Sequence, residues 1–167
     1  GTSLVRARNI GADVAVGDWV VVSADEERID AVLPRRSAFV RRASFEGAIA
    51  QTHTIAANVD VVFLIHALTS PPNQRRLERE LVLAYDSGAQ PVVVLSKADA
   101  VTEIENHVVE LSAIALGAPV HAVSSRTGYG LAALRAHVKG HRTIAFLGAS
   151  GVGKSTLVNA LIGEERK

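Results

Sequence analysis

Thr143-Ile144-Ala145-Phe146-Leu147-Gly148-Ala149-Ser150-Gly151-Val152-Gly153-Lys154-Ser155-Thr156-Leu157 sets a run of branched and aromatic residues directly against a glycine-rich turn, and that turn against a segment of helical period. Gly148 to Ser155 fit the pattern G-x-x-x-x-G-K-[ST], a phosphate-binding loop between a strand and a helix. The glycines let the backbone curl so that successive N–H groups face phosphate oxygens, and the helix that follows adds its positive dipole end. Gly148, Ala149, Ser150, Gly151, Val152, Gly153 and Thr156 are therefore expected to line a nucleotide's phosphates. Lys154 reaches for the β and γ phosphates, and Ser155 offers its hydroxyl to Mg²⁺. The competing reading is an ordinary glycine-rich turn with an exposed lysine. The buried-type strand at 144–147 and the stripe of Leu157 and Leu161 argue against it.

Working back from that loop, short apolar runs alternate with stretches of helical period from Val59 onward, the pattern of βαβ units and a parallel sheet. Strands are expected at 60–67, 91–95, 120–123 and 143–147. Between them, Leu77, Leu81 and Ala84 mark a helix that Gly88 ends. Thr102 and Glu105 suggest a capping box for a second helix, which Gly117 stops, and 131–138 reads as a short third.

Ser96-Lys97-Ala98-Asp99 directly follows the second of these strands, at the end where open α/β sheets place their ligands. A carboxylate there accepts hydrogen bonds from N1–H and the exocyclic amine of guanine. Adenine offers no such pair of donors, and the unmet acceptors cost roughly 1–3 kcal/mol, enough to favour GTP over ATP. Lys97 can lay its methylene stem along the base. Ser124-Ser125-Arg126-Thr127-Gly128-Tyr129-Gly130 follows the third strand at the same end. It reads either as a contact to the guanine O6 side through Ser124 and Ser125, or as a hydrogen-bonded turn that opens the next helix.

The base-reading segments thus precede the phosphate loop, whereas ordinary GTPases carry the loop first. If the first three strands lie as 3-2-1 and the fourth crosses to the far flank of strand 1, the order becomes 3-2-1-4, and one nucleotide can touch all three loops. The chain resembles a circularly permuted GTPase, most closely the ribosome small-subunit-dependent GTPase A family. The residues that carry the resemblance are Val16-Gly17-Asp18-Trp19-Val20, Ala56-Ala57-Asn58-Val59-Asp60-Val61-Val62, Ser96-Lys97-Ala98-Asp99 and the loop from Gly148 to Thr156.

That resemblance implies an OB-like β module followed by a P-loop, doubly wound α/β domain in permuted order. It implies a Mg²⁺-dependent hydrolase converting GTP to GDP, which binds the 30S ribosomal subunit and its 16S rRNA late in subunit maturation. A cytoplasmic monomer is expected, with zinc confined to a further C-terminal domain. Ser96 stands where GTPases usually carry Asn, whose side chain ties the base loop to the phosphate loop. The chain ends at Lys167, twelve residues beyond Ser155, so an incomplete C-terminal side and weak nucleotide binding are expected. Two other functions fit the same motifs: a nucleotide-dependent RNA- or ribosome-binding switch with little catalysis of its own, and an ATP-using P-loop protein.

The leading segment lacks helical period and reads as a partial β module over 1–45, with the GTPase-type domain over 46–167. Strands are expected near 4–8, 19–23, 29–33 and 39–42, with turns at Gly17-Asp18 and Asp25-Glu26. Arg35, Arg36, Arg41 and Arg42 form a basic cluster that reads either as an RNA-contacting face or as a solvated strand edge. Trp19 reads either as a core residue, which is the expectation, or as an exposed stacking platform. The six histidines show no paired metal-ligand spacing and are expected as surface or packed residues.

The 167 residues are 48% apolar and 21% charged, which fits a folded globular chain and excludes a disordered or collagen-like one. Val61 to Ile65 is the longest unbroken aliphatic or aromatic run, far short of the roughly 20 residues a bilayer helix needs, so no membrane association is expected. With no cysteine, disulfides and thiolate metal sites are excluded. A net charge of +1 means that any nucleic-acid contact depends on local clustering.

Overall fold

The computed structural model describes residues 6–9, 13–25, 27–42 and 52–163, and the chain divides into two compact units between Val59 and Asp60. The boundary expected at 45/46 lies outside the described residues. So do Leu4 and Val5 of the 4–8 segment, whose described residues form only an isolated bridge from Arg8 to Arg28 and no strand, and so do Glu26 of the second turn and the side chains of Arg41 and Arg42.

Among the described residues, the first unit holds two antiparallel pairs. β1 (Val20–Val22) pairs with β2 (Ile29–Val32), and β3 (Ala38–Arg42) pairs with β4 (Thr52–Ala57). β4 escapes a reading by period because its large apolar residue, Ile55, points outward and is 57% exposed, while Ala57 is buried. Beyond it, buried Asn58 adopts a left-handed φ of 54° and ties three segments together. Its Nδ2 donates to Gly17 O (3.0 Å), its Oδ1 accepts from Arg36 N (2.9 Å), and its own N–H donates to Ser37 O (2.9 Å). Gly17 must be glycine, because a Cβ there would lie 2.2 Å from Ala57 O.

Arg35, one of the four arginines of the expected basic cluster, is engaged within this unit and its side chain is 22% exposed. Its guanidinium grips Asp18 through Nε and Nη2 (both 2.7 Å), donates to Thr54 Oγ1 (2.7 Å) and Asp13 O (2.6 Å), and reaches Asp13 Oδ2 at 3.4 Å. These contacts engage all five guanidinium N–H groups. Trp19, expected in a core, is 64% exposed. Arg36 is exposed.

The side chain of Asp18 is 1% exposed, and the Arg35 hydrogen bond, opposed in part by burial, holds its carboxyl below the usual 3.8. A depressed carboxyl pKa stabilises the fold fully above the unfolded value and ceases to do so as pH falls through the folded one. Asp18→Asn is expected to cost about 1–2 kcal/mol at neutral pH, with Arg35 partly solvent-screened, and to flatten the loss of stability below about pH 4. Urea titrations followed by Trp19, the sole tryptophan, at pH 7 and pH 3 measure both effects.

The second unit holds a parallel sheet of β5 (Val61–Ala67), β6 (Gln90–Ser96), β7 (Val120–Ala122) and β8 (Ile144–Gly148) in the order β7-β6-β5-β8. This is the expected 3-2-1-4 arrangement. β5 occupies the centre, and Val61 to Ile65 are at most 1% exposed. α1 (Gln74–Ser87) and α2 (Ile104–Ile114) separate the first three of these strands, while α3 (Leu131–His137) leads into β8 and α4 (Lys154–Gly163) follows it.

Successive strand residues face opposite sides. Val61, Phe63, Ile65, Val92 and Val94 form one core with Leu131 and Leu134 of α3 and Leu157 and Leu161 of α4. Phe63 meets Phe146 edge-to-face at 5.4 Å. On the other side, α1 packs on β5 and β6, and its Leu77, Leu81 and Ala84 are buried.

α1 begins at Asn73, whose side chain accepts from Arg76 N (3.0 Å), and ends at Gly88 with φ 84°. The capping box at Thr102 does not form. Glu103 takes the cap position of α2 without a side-chain cap bond, which leaves Thr102 one residue before the cap. Among the described residues no helix is long and apolar enough to cross a membrane.

Candidate functional site: a cleft between the phosphate loop and the base loop

β8 delivers the glycine-rich loop to the carboxyl edge of the sheet. Gly148 lies so close to β5 that a Cβ would come within 2.6 Å of Ile65 O, so only glycine fits at the entry. Val152 anchors the middle of the loop in the core of the second unit. Gly151 (φ 78°) and Gly153 (φ 94°) turn the backbone through left-handed conformations on either side of it. α4 starts at Lys154, with Leu157 N bonded to Gly153 O (2.9 Å). Ser150, Ser155 and Thr156 are exposed.

The Lys154 side chain folds back over the loop, and its Nζ donates to Gly148 O (3.0 Å) and Ala149 O (2.7 Å). The loop therefore holds an ammonium group within its own curve, beside a helix N-terminus, a donor set that fits a polyphosphate. The exposed Ser155 hydroxyl in the first turn of α4 is an oxygen ligand of the type Mg²⁺ takes.

The base loop comes from β6. Ser96 ends the strand, buried, and its Oγ donates to Val152 O at 2.6 Å, with His66 O at 3.3 Å. The link between base loop and phosphate loop that Asn supplies elsewhere is thus made here by a serine. Ser96→Ala leaves Val152 O without this donor. It is expected to cost about 1–2 kcal/mol, or about 4–8 °C in Tm for a unit of this size. A thermal melt monitored by circular dichroism measures it.

Lys97 adopts a left-handed conformation (φ 59°, ψ 38°) that turns the chain into a 3-10 turn, Ala98–Ala100. Ala98 is buried, and its N–H donates to Val123 O (3.0 Å), which fixes this loop to the end of β7.

Asp99 then faces the loop that follows β7. Its Oδ1 accepts from Ser124 Oγ (2.6 Å) and its Oδ2 from Arg126 Nε (2.8 Å). The Ser124 bond is the main cause of a carboxyl pKa below 3.8; burial opposes it, and Arg126 adds to it. Ser124 is fully buried and closes its own loop, with its N–H donating to Tyr129 O (2.9 Å) and its Oγ accepting from Thr127 N (3.2 Å). The hydrogen-bonded turn is formed, and through Ser124 it also holds Asp99 of the base loop.

Ser96, Lys97, Asp99, Ser125 and Arg126 share one cleft of about 230 Å³ with Val152, Gly153 and Thr156. The carboxylate of Asp99 and the phosphate loop are therefore on the same rim of the sheet. A carboxylate has about four acceptor positions, and Ser124 and Arg126 occupy two of those of Asp99.

A neighbouring cleft of about 280 Å³ lies on the other side of Lys97, between Ala149 to Val152 and the segment that joins β5 to α1. Sequence reading missed its polar wall. His66 Nε2 lies 2.9 Å from Glu80 Oε2, and Arg76 Nε donates to Glu80 Oε1 (2.7 Å). Burial raises the Glu80 carboxyl, but the hydrogen bonds from His66 and Arg76 outweigh it and hold it below 4.5. Arg126 was also missed as a partner of Asp99. Its place two residues beyond Ser124, at the ligand edge of an α/β sheet, is the signal that flags it.

Comparison with known proteins agrees with this geometry. The RsgA GTPase family model matches residues 32–167. The small ribosomal subunit biogenesis GTPase RsgA 2 of Lactiplantibacillus plantarum is 39% identical over 170 residues, covering 99% of this chain and 47% of that protein. The crystal structure of YjeQ from Thermotoga maritima has a TM-score of 0.71 at 27% identity, over 93% of this chain and 56% of that one. YloQ, called a circularly permuted GTPase, has a TM-score of 0.66 at 24% identity, over 99% of this chain and 58% of that one. The chain spans about half the length of the relatives it matches. With its strand order, its phosphate loop placed last and most of its length matched, the chain belongs to the RsgA GTPase family.

Proposed function

We propose that this chain carries the guanine-nucleotide site of a GTP hydrolase that acts on the small ribosomal subunit during its maturation. The single observation that supports it most is the cleft in which Asp99 and Lys97 meet Gly153 and Thr156. In this reading Asp99 accepts from guanine N1–H and the exocyclic amine, and Lys97 covers the base with its methylene stem. Ser124 orients the Asp99 carboxylate, and Ser125 contributes at the O6 side. The backbone of Gly148 to Thr156 and the Lys154 ammonium, released from the Gly148 and Ala149 carbonyls, hold the phosphates and stabilise the charge that develops between β and γ. Ser155 holds Mg²⁺, which when bound neutralises phosphate charge and fixes phosphate geometry.

The names of the relatives, small ribosomal subunit biogenesis GTPases, support the subunit as partner. Arg36, Arg41 and Arg42 remain as the proposed 16S rRNA contacts. A cytoplasmic monomer accords with the same reading.

Single-turnover hydrolysis of GTP, measured with and without purified 30S subunits, tests the proposal. Slow intrinsic turnover accelerated by subunits is expected. Nucleotide-dependent subunit binding with no acceleration would favour the switch reading, and equal use of ATP would overturn the choice of base.

A further inference from the structure

The six histidines show no ligand spacing along the sequence, yet the fold brings two of them together. His121 lies on β7 and His137 in the last turn of α3, 16 residues apart, and their Nε2 atoms are 3.0 Å from each other. The ring centroids are 5.1 Å apart and the planes tilted by 55°. We propose that His121 and His137 form a two-imidazole site for a late first-row divalent metal ion, each ligating through Nε2, with Zn²⁺ as the representative cation.

The geometry carries this. Two facing Nε2 atoms accommodate either one proton between them or one metal ion. Two bare lone pairs repel, as do two N–H groups. Zn–N bonds of about 2.0–2.1 Å at a tetrahedral angle place two ligand nitrogens about 3.3–3.4 Å apart. The observed separation lies within a few tenths of an ångström of that value, a shift that side-chain torsions absorb without moving either element.

Both rings are partly buried, and among the described residues neither bonds to a carboxylate that would hold it as an imidazolium. Neutral imidazole is the form that binds metal. Imidazole donors select Zn²⁺, Ni²⁺ and Cu²⁺ over Mg²⁺ and Ca²⁺, so the site is chemically distinct from the hydroxyl offered by Ser155. Among the described residues no third His, Asp or Glu completes the set, so water fills the remaining positions and the affinity is modest. Bound metal would clamp the end of α3 to β7, the strand that leads into Ser124.

The test is calorimetric titration of Zn²⁺ into the metal-free chain, paired with nitrogen NMR of the histidine side chains. One equivalent should bind, with the Nε2 resonances of His121 and His137 shifting together. Loss of an outer-shell partner of a metal ligand already weakens affinity about 10–100-fold, so His121→Gln and His137→Gln should each weaken binding at least about 10-fold, while His53→Gln leaves it unchanged. Should His121→Gln fail to fold, as judged by circular dichroism, His137→Gln at the helix end decides alone. Zn²⁺ binding that survives His137→Gln, or a pair whose resonances ignore the metal, would overturn the site and identify a simple N–H···N contact.

Discussion

Asp99→Asn should move base preference from guanine to xanthine, lowering GDP affinity about 100-fold or more while raising that for XDP. The Asp99 carboxylate accepts from Ser124 and Arg126 and lines the cleft it shares with the phosphate loop. Hydrogen bonds to a charged group contribute about 1.5–3 kcal/mol each, so losing the pair made by N1–H and the exocyclic amine removes at least about 3 kcal/mol, or two decades of affinity. An amide at the same place still accepts from Ser124 through its oxygen and now donates to the extra carbonyl of xanthine. Arg126 loses its partner, but its side chain is 76% exposed and turns to solvent at little cost. The fold should survive, which separates a change in specificity from unfolding. Competition of GDP and XDP against a fluorescent nucleotide measures the ratio, and unchanged selectivity would remove Asp99 from the site.

Lys154→Ala should have the other large effect, a fall of about 1000-fold in affinity for both GDP and GTP. Its ammonium sits 2.7 Å from Ala149 O and 3.0 Å from Gly148 O, inside the loop and partly shielded from water. At such a position a cation interacts strongly with phosphate, because the lower local dielectric strengthens the charge-assisted bond. Since Lys154 acts at the phosphates and Asp99 at the base, the two variants should differ in kind. Lys154→Ala loses all nucleotides equally, whereas Asp99→Asn loses guanine and gains xanthine. Titration of a fluorescent GDP analogue, with circular dichroism to confirm folding, separates the two.

Much of the second unit is legible from the chain alone, for a physical reason. A parallel strand covered on both faces must be apolar throughout, and Val61 to Ile65 and Val92 to Leu95 are buried. Motifs at strand ends then locate the ligand edge, and the order β7-β6-β5-β8 follows from bringing Asp99, Ser124 and Lys154 to one rim. The first unit is harder to read. Its β4 turns Ile55 outward, and its only tryptophan is exposed, so neither period nor residue size reports burial there. Arg35 reads as one of a basic run because the sequence does not show that Asp18, 17 residues earlier, lies against it. Contacts across such separations also hide the approach of His66 to Glu80 and the pairing of Asp99 with Arg126. Ser96 teaches the reverse lesson. Its difference from the usual Asn suggests a lost bond, yet the shorter side chain reaches Val152 O because the two loops lie close together.

Displacement of a fluorescent GDP analogue from the unmodified chain, by GDP and separately by ADP in the presence of Mg²⁺, tests most directly whether a guanine base and its phosphates occupy the cleft between Asp99 and Gly153. Displacement by GDP, with ADP ineffective at about 100-fold higher concentration, is the predicted result. Equal displacement by the two nucleotides would contradict it.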